Sequence, residues 1–200
     1  MHAIDCSVSF SQNLSPAKFF SQVNPLIKKL GEDKSWRIRY MLADKIVDLA
    51  QAIGNDATKD LLLPIFAAFL KDPEAEVKTA ALNKLPEFTQ HLDAGLIVSK
   101  VVPSFAELQK ESTLYVRSAL SEHMLSICPI IGKQAATTHV LPVFLLLLRD
   151  ENSEVRLNLF KRLEDLNKVI GVDELQTSLI PSLEELSKEK NWRLKIQLIE

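Results

Sequence analysis

An all-α solenoid, a right-handed superhelix of about five repeats, is the fold class this sequence predicts, on three observations. Pro25, Pro64, Pro103, Pro142 and Pro181 stand at a constant interval of 39 residues. Eight residues after each of them comes an acid, and fourteen residues after each a base. Between these markers the apolar residues recur in steps of three and four, the period of a helix face. A fixed period of roughly 20–50 residues marks stacked supersecondary units rather than one closed globule.

Counting each unit from its proline as position 0, the first helix carries Val23, Leu62, Val101, Val140 and Leu179 at position −2. Ile27, Phe66, Phe105, Phe144 and Leu183 follow at position 2, and Leu30, Phe69, Leu108, Leu147 and Leu186 at position 5. Apolar residues on both sides of a residue that lacks an N–H predict a first helix kinked at its proline. The acids at position 8, Asp33, Asp72, Glu111, Asp150 and Glu189, mark the turn that ends it.

Position 10 holds a helix-capping residue in four units, Ser35, Thr113, Asn152 and Asn191, and the second unit has Asp72-Pro73 just ahead of it. A second helix is therefore expected from there. Its apolar stripe falls at positions 13, 17, 21, 24 and 28: Ile38, Leu42, Ile46, Leu49 and Ile53 in the first unit, Val155, Leu159, Leu163, Leu166 and Ile170 in the fourth. Gly54, Gly132 and Gly171 at position 29 are placed to close it with a left-handed cap, and Pro86 and Pro129 are expected to bend it. The units so defined run over 15–54, 55–94, 95–132, 133–171 and 172–200, the last one truncated, and 1–14 is a poorly matched N-terminal segment.

The bases at position 14 are Arg39, Lys78, Arg117, Arg156 and Lys195. Stacked repeats bring equal positions about 10 Å apart, one helix diameter. The acids and bases then form neighbouring ladders, expected to pair across the stack and to fix its register more than to add net stability.

Composition excludes several functions. With 46% apolar residues, 25% charged residues and a net charge of −2, the chain has a core to bury and no electrostatic reason to attract nucleic acid or an anionic membrane. The longest apolar run, Val140 to Leu148, is far short of the ~20 residues of a membrane helix, so no membrane insertion is expected. Cys6 and Cys128 are lone thiols suited to a reducing compartment. No targeting address is visible, which makes the cytosol the default location, with the nucleus open. Five scattered glycines exclude a phosphate-cradling loop, and His2, His91, His123 and His139 share no repeat position or ligand spacing. No catalytic, metal or cofactor site is assigned.

The motifs Asp72-Pro73-Glu74-Ala75-Glu76-Val77-Lys78 and Asp150 with Val155-Arg156 resemble the HEAT repeat, an armadillo-like unit of paired helices with Asp at the turn and an aliphatic-basic pair opening the second helix. Residues 32–45, Glu154-Val155-Arg156-Leu157-Asn158 and Trp192-Arg193-Leu194 further resemble the scaffold-subunit family of protein phosphatase 2A, from about Leu14 to Glu200. That resemblance implies the middle of a longer solenoid and a non-catalytic scaffold. Its intra-repeat turns would hold regulatory (B-type) subunits, and the catalytic subunit would be held through repeats absent from this chain. The alternative is another HEAT-type protein-binding adaptor, such as a nuclear transport receptor.

The residues expected to meet a partner lie along the turn ridge: Lys34, Ser35, Trp36, Arg37, Tyr40, Asp72, Glu74, Glu76, Glu111, Tyr115, Trp192 and Arg193. Trp36 and Trp192 share position 11, each followed by an arginine, the residue pair that most often anchors an interface.

Overall fold

A unit with two apolar stripes must bury both, and the chain does so by stacking its first helices in one layer and its second helices in another. The computed structural model describes the backbone of residues 16–188 and the side chains of residues 24–181. In unit 1 the first helix is Pro16–Gly31, with Pro25 inside it, and the second runs Trp36–Asp44 and then Ile46–Ile53. Unit 2 has Leu63–Phe69 and Ala75–Phe88 as its main segments; unit 3 has Phe105–Leu108 and Leu114–His123; unit 4 has Leu141–Leu147, Ser153–Lys161 and Leu163–Ile170. Val172–Lys188 opens unit 5. Each second helix packs on the next, Trp36–Asp44 on Ala75–Phe88, that on Leu114–His123, and that on Ser153–Lys161. No strand occurs among the described residues, and the fold is an armadillo- or HEAT-type α-solenoid.

The proline of the first helix has a structural counterpart that the sequence does not announce. Thr58–Leu62, Ile97–Val101 and Ala136–Val140 are π-helical turns, also 39 residues apart, and each ends two residues before Pro64, Pro103 or Pro142. Proline offers no N–H to the carbonyl four residues back and its ring crowds that carbonyl. Widening the preceding turn to i→i+5 bonding relieves the crowding, a single-turn π-bulge.

Both stripes form one continuous core. Phe66, Phe105 and Phe144 from the first helices are fully buried, as are Val77, Val116 and Val155 from the second. Phe66 stacks on Phe88 with ring centroids 4.2 Å apart, tying the two helices of unit 2 together. A ring so buried contributes roughly 2–3 kcal/mol by removal from water.

Two expectations about helix ends change. Gly54, Gly132 and Gly171 do have positive φ, but Gly54 sits at φ 81°, ψ 170°, in the mirror-image extended region rather than the left-handed helical one. Its N–H closes the second helix on the Ala50 carbonyl at 3.0 Å, and its own carbonyl accepts the Thr58 N–H at 3.0 Å and the Thr58 hydroxyl at 2.8 Å. One residue thus ends a repeat and starts the next with no linker between. Unit 2, which has Asp93 at this position, extends its second helix through the 3-10 turn Thr89–His91 and turns on ordinary extended backbone at Leu92 and Asp93.

The expected break appears at one of the two prolines. Pro86 stays inside Ala75–Phe88, whereas ahead of Pro129 the second helix of unit 3 tightens into the 3-10 turn Met124–Ile127 and restarts as Cys128–Ala135 with Pro129 in its first turn. The breaks in units 1 and 4 fall at position 20, Lys45 (φ −97°, ψ 6°) and Arg162 (φ −104°, ψ 4°). In both, that side chain turns onto an aspartate three residues on, Lys45 to Asp48 and Arg162 to Asp165, each at 3.2 Å. The stretch 114–147 has the length and hydropathy to cross a bilayer, but its helical course is interrupted at Gly132 (φ 78°, ψ 171°), and much of it lines the solenoid core.

Candidate protein-binding surface

The turns are shaped by the acids at position 8. Asp33, Asp72 and Asp150 each accept, through Oδ1, the backbone N–H two residues on, from Ser35, Glu74 and Asn152 at 2.8–2.9 Å. Position 10 is the N-cap by backbone conformation in every described unit, yet only Asn152 caps with its side chain, accepting from the Glu154 N–H at 2.8 Å. The aspartate at position 8 takes over part of the capping, an Asx-turn.

The same acids are reached from the preceding repeat. Arg39 donates to Asp72 through Nε at 2.6 Å and Nη2 at 2.9 Å, and Arg117 donates to Asp150 through Nε at 2.7 Å and Nη2 at 3.1 Å. Lys78 pairs with Glu111 between them, so in all three of these pairs base and acid are 33 residues apart, position 14 of one unit to position 8 of the next. Each arginine also donates Nη1 back to the carbonyl at its own position 8: Arg39 to Asp33 and Arg117 to Glu111, both at 2.7 Å, and Arg156 to Asp150. The carboxylates raise the guanidinium pKa of Arg39 and Arg117 from its ordinary value, chiefly through these hydrogen bonds. Lys78 and Glu111 keep the pairing with the longer acid facing the ammonium, which has no second fork to offer.

With this ladder in place the ridge residues sort themselves. Asp72 and Glu111 are held in ion pairs, Asp72 buried. Lys34, Ser35 and Arg37 are exposed, and Glu74 is half-buried. Trp36 is half-buried against the core, with the Arg37 guanidinium 4.8 Å above its ring and the Tyr40 ring edge-on at 6.5 Å. Trp192, Arg193, Glu189 and Lys195 lie outside the described residues.

Tyr40, Glu76 and Tyr115 stand on the exposed face of the second helices. Together with Asp44, Thr79, Ala80, Asn83 and Lys84 they line a cleft of about 270 Å³. Burial and then the negative charge of the nearby Glu76 raise the Tyr115 pKa, so this hydroxyl keeps its proton at neutral pH. Lys84 reaches back to Asp44 at 3.2 Å, a second tie between repeats. Sequence reasoning missed Asp44, Thr79, Asn83 and Lys84. Their signal is the polar face at positions 15, 19 and 20, which gains meaning only once neighbouring second helices lie side by side.

No group of three His, Cys, Asp or Glu among the described residues is arranged to hold a metal ion. Cys128 is buried, which pushes its thiol up to about 12. The arrangement offers a charged and aromatic ridge and a polar cleft, both suited to binding another polypeptide.

Comparison with known proteins agrees with this geometry. Residues 55–132 match the model of the PPP2R1A-like HEAT repeat. The human serine/threonine-protein phosphatase 4 regulatory subunit 1 is 39% identical over 66 residues, covering 32% of this chain and 7% of that protein. The beta isoform of the mouse serine/threonine-protein phosphatase 2A 65 kDa regulatory subunit is 38% identical over 65 residues, covering 32% of this chain and 11% of that protein. The match thus spans about a tenth of these relatives' length or less. Among solved structures, Cex1p superimposes with a TM-score of 0.78 at 17% identity, covering 97% of this chain and 36% of that one. A designed armadillo repeat protein in complex with the peptide (KR)4 superimposes with a TM-score of 0.59 at 16% identity, covering 98% and 88%. The described chain is a HEAT-repeat α-solenoid, with residues 55–132 matching the PPP2R1A-like type.

Proposed function

We propose that this chain acts as a non-catalytic scaffold for a protein phosphatase of the 2A type, offering its intra-repeat turns to regulatory subunits. The observation that carries this reading is the similarity of its repeats to those of two phosphatase regulatory subunits and to the PPP2R1A-like HEAT repeat. The site is the turn of unit 1, where Lys34, Ser35, Trp36 and Arg37 project beside the ladder. A half-buried ring with a guanidinium over it gives a partner a contact whose side chain is already partly fixed. Because each repeat touches only its neighbours, the rod flexes as a sum of small interface rotations and adapts to more than one regulatory subunit.

The test is affinity capture from cell lysate with the tagged chain, reading bound phosphatase subunits by mass spectrometry. Enrichment of phosphatase regulatory subunits that is lost with Trp36→Ala plus Arg37→Ala, and with Arg37→Glu alone at unchanged thermal stability, supports the scaffold reading. Enrichment of other machinery without phosphatase subunits overturns it.

A further inference from the structure

A second surface, separate from the turn ridge, runs across the exposed face of the second helices Trp36–Asp44, Ala75–Phe88, Leu114–His123 and Ser153–Lys161. Tyr40 and Tyr115 are 41% and 45% exposed, and they flank one cleft from the two helices on either side of Ala75–Phe88. A second cleft of about 260 Å³ adjoins it, lined by Leu114, Tyr115, Ser118, Glu122 and Glu154 and sharing Thr79, Asn83 and Tyr115 with the first. Tyr115 is therefore the wall between two pockets one repeat apart.

The charges of this face are unequal. The only base lining either cleft is Lys84, which is already paired with Asp44. Glu76 stands near the Tyr115 hydroxyl in the first cleft, and Glu154 lies 3.2 Å from the Ser118 hydroxyl that donates to it. Neither hydroxyl carries a charge. Glu122 lies 3.9 Å from the His123 ring, and burial, with Arg162 acting in the same direction, lowers the pKa of that imidazole, so it stays neutral at pH 7. Three carboxylates, Glu76, Glu122 and Glu154, thus stand around exposed phenol rings with no cation to answer them within the clefts. The stretch is bounded along the stack by Arg37, at the position Glu76 takes in unit 2, and by Lys161, at the position Glu122 takes in unit 3.

We propose that these paired clefts bind an extended peptide segment bearing Lys or Arg side chains, whose cationic heads lie on the Tyr40 and Tyr115 rings and meet Glu76, Glu122 and Glu154. Ring face plus carboxylate is the combination that selects a cation over a neutral or acidic side chain. Neighbouring helices lie 8–10 Å apart, and a peptide in the extended polyproline II form advances about 3.1 Å per residue with three residues per turn, so cations three residues apart face the same side and reach successive clefts. Like charge turns away acidic segments and nucleic acid, which the ridge residues around Arg37 do not.

The experiment is fluorescence anisotropy with the whole chain and two labelled peptides, four repeats of Arg-Ser-Ser and four of Glu-Ser-Ser, at about 0.15 M salt. The expected result is saturable binding of the arginine peptide only. Tyr115→Ala should weaken it about fivefold, and Glu76→Gln and Glu154→Gln each severalfold. The two glutamine variants change exposed groups, so they test the proposal even if Tyr115→Ala perturbs folding. Equal binding of both peptides, or arginine-peptide binding that is untouched by Glu76→Gln and Glu154→Gln, overturns the proposal.

Discussion

Arg117 holds Asp150, 33 residues further along the chain, with two side-by-side N–H···O bonds of 2.7 and 3.1 Å, while its third nitrogen donates to the Glu111 carbonyl at 2.7 Å. One side chain therefore fastens its own turn and the next repeat's turn at once. Their side chains are only 9% and 7% exposed, so neither charge is left to water if its partner is removed.

Removing Arg117 should therefore cost more than the lost pair itself. Arg117→Met leaves Asp150 as an uncompensated buried carboxylate, and a loss of about 3 kcal/mol is expected in urea unfolding. Lys78→Met should cost less, about 1 kcal/mol, because the Glu111 left behind keeps 26% of its side chain in water. Equal losses at the two sites would show that the ladder acts through its charges alone and not through burial.

Glycine at the repeat junction is open to a paired test. A Cβ at Gly54 would meet nothing within 4 Å, so Gly54→Ala isolates the backbone cost of φ 81°, ψ 170°, about 1–3 kcal/mol of destabilisation. Gly95, in the helical turn Ala94–Leu96, also has free space but no positive φ. Gly95→Ala should stabilise by about 0.5–1 kcal/mol, so the two substitutions should move the urea midpoint in opposite directions.

Cys128 should be silent in the native protein. Burial pushes its thiol up to about 12, so at pH 8 roughly one molecule in ten thousand carries the thiolate that reacts with disulfide reagents. In a Cys6→Ser background, thiol titration should detect almost nothing until urea unfolds the chain. The raised folded pKa also fixes a sign. This contribution to stability is complete below the unfolded value near 9 and is lost as pH climbs toward 12.

Acid should weaken the fold through His123. Burial lowers its pKa, with Arg162 acting in the same direction and Glu122 opposing. The unfolded chain then takes up the proton more readily, so this contribution is present above the ordinary histidine range and fades as pH falls through it. The urea midpoint should drop between pH 7.5 and pH 5.5, and His123→Gln should flatten that drop. An unchanged slope in the variant would assign the loss to other groups.

The repeat phase, the two stripes and the acid and base at positions 8 and 14 were all legible in the sequence, because each is a residue type recurring at a fixed interval. The π-turns ahead of Pro64, Pro103 and Pro142 were not, since shifting a backbone bond by one carbonyl leaves composition unchanged. The breaks at Lys45 and Arg162 escaped for a similar reason. A break does fall just ahead of Pro129, but none at Pro86, while the breaks in units 1 and 4 come at residues whose side chains turn to an aspartate one turn on. Tyr40, Glu76 and Tyr115 stood out as residues, but their common cleft depends on three helices from three repeats lying side by side.

The junction at Gly54 leaves no slack between one repeat and the next. An extra residue there would act like a cross-threaded screw, rotating everything downstream by about 100° and carrying ridge and cleft out of line with those upstream. A residue added in the turn between the two helices of a repeat would bulge outward, because the Arg39–Asp72 type of pair pins the turn from both sides. Growth and variation in such a rod are therefore confined to one edge, the edge where Trp36 and Arg37 stand.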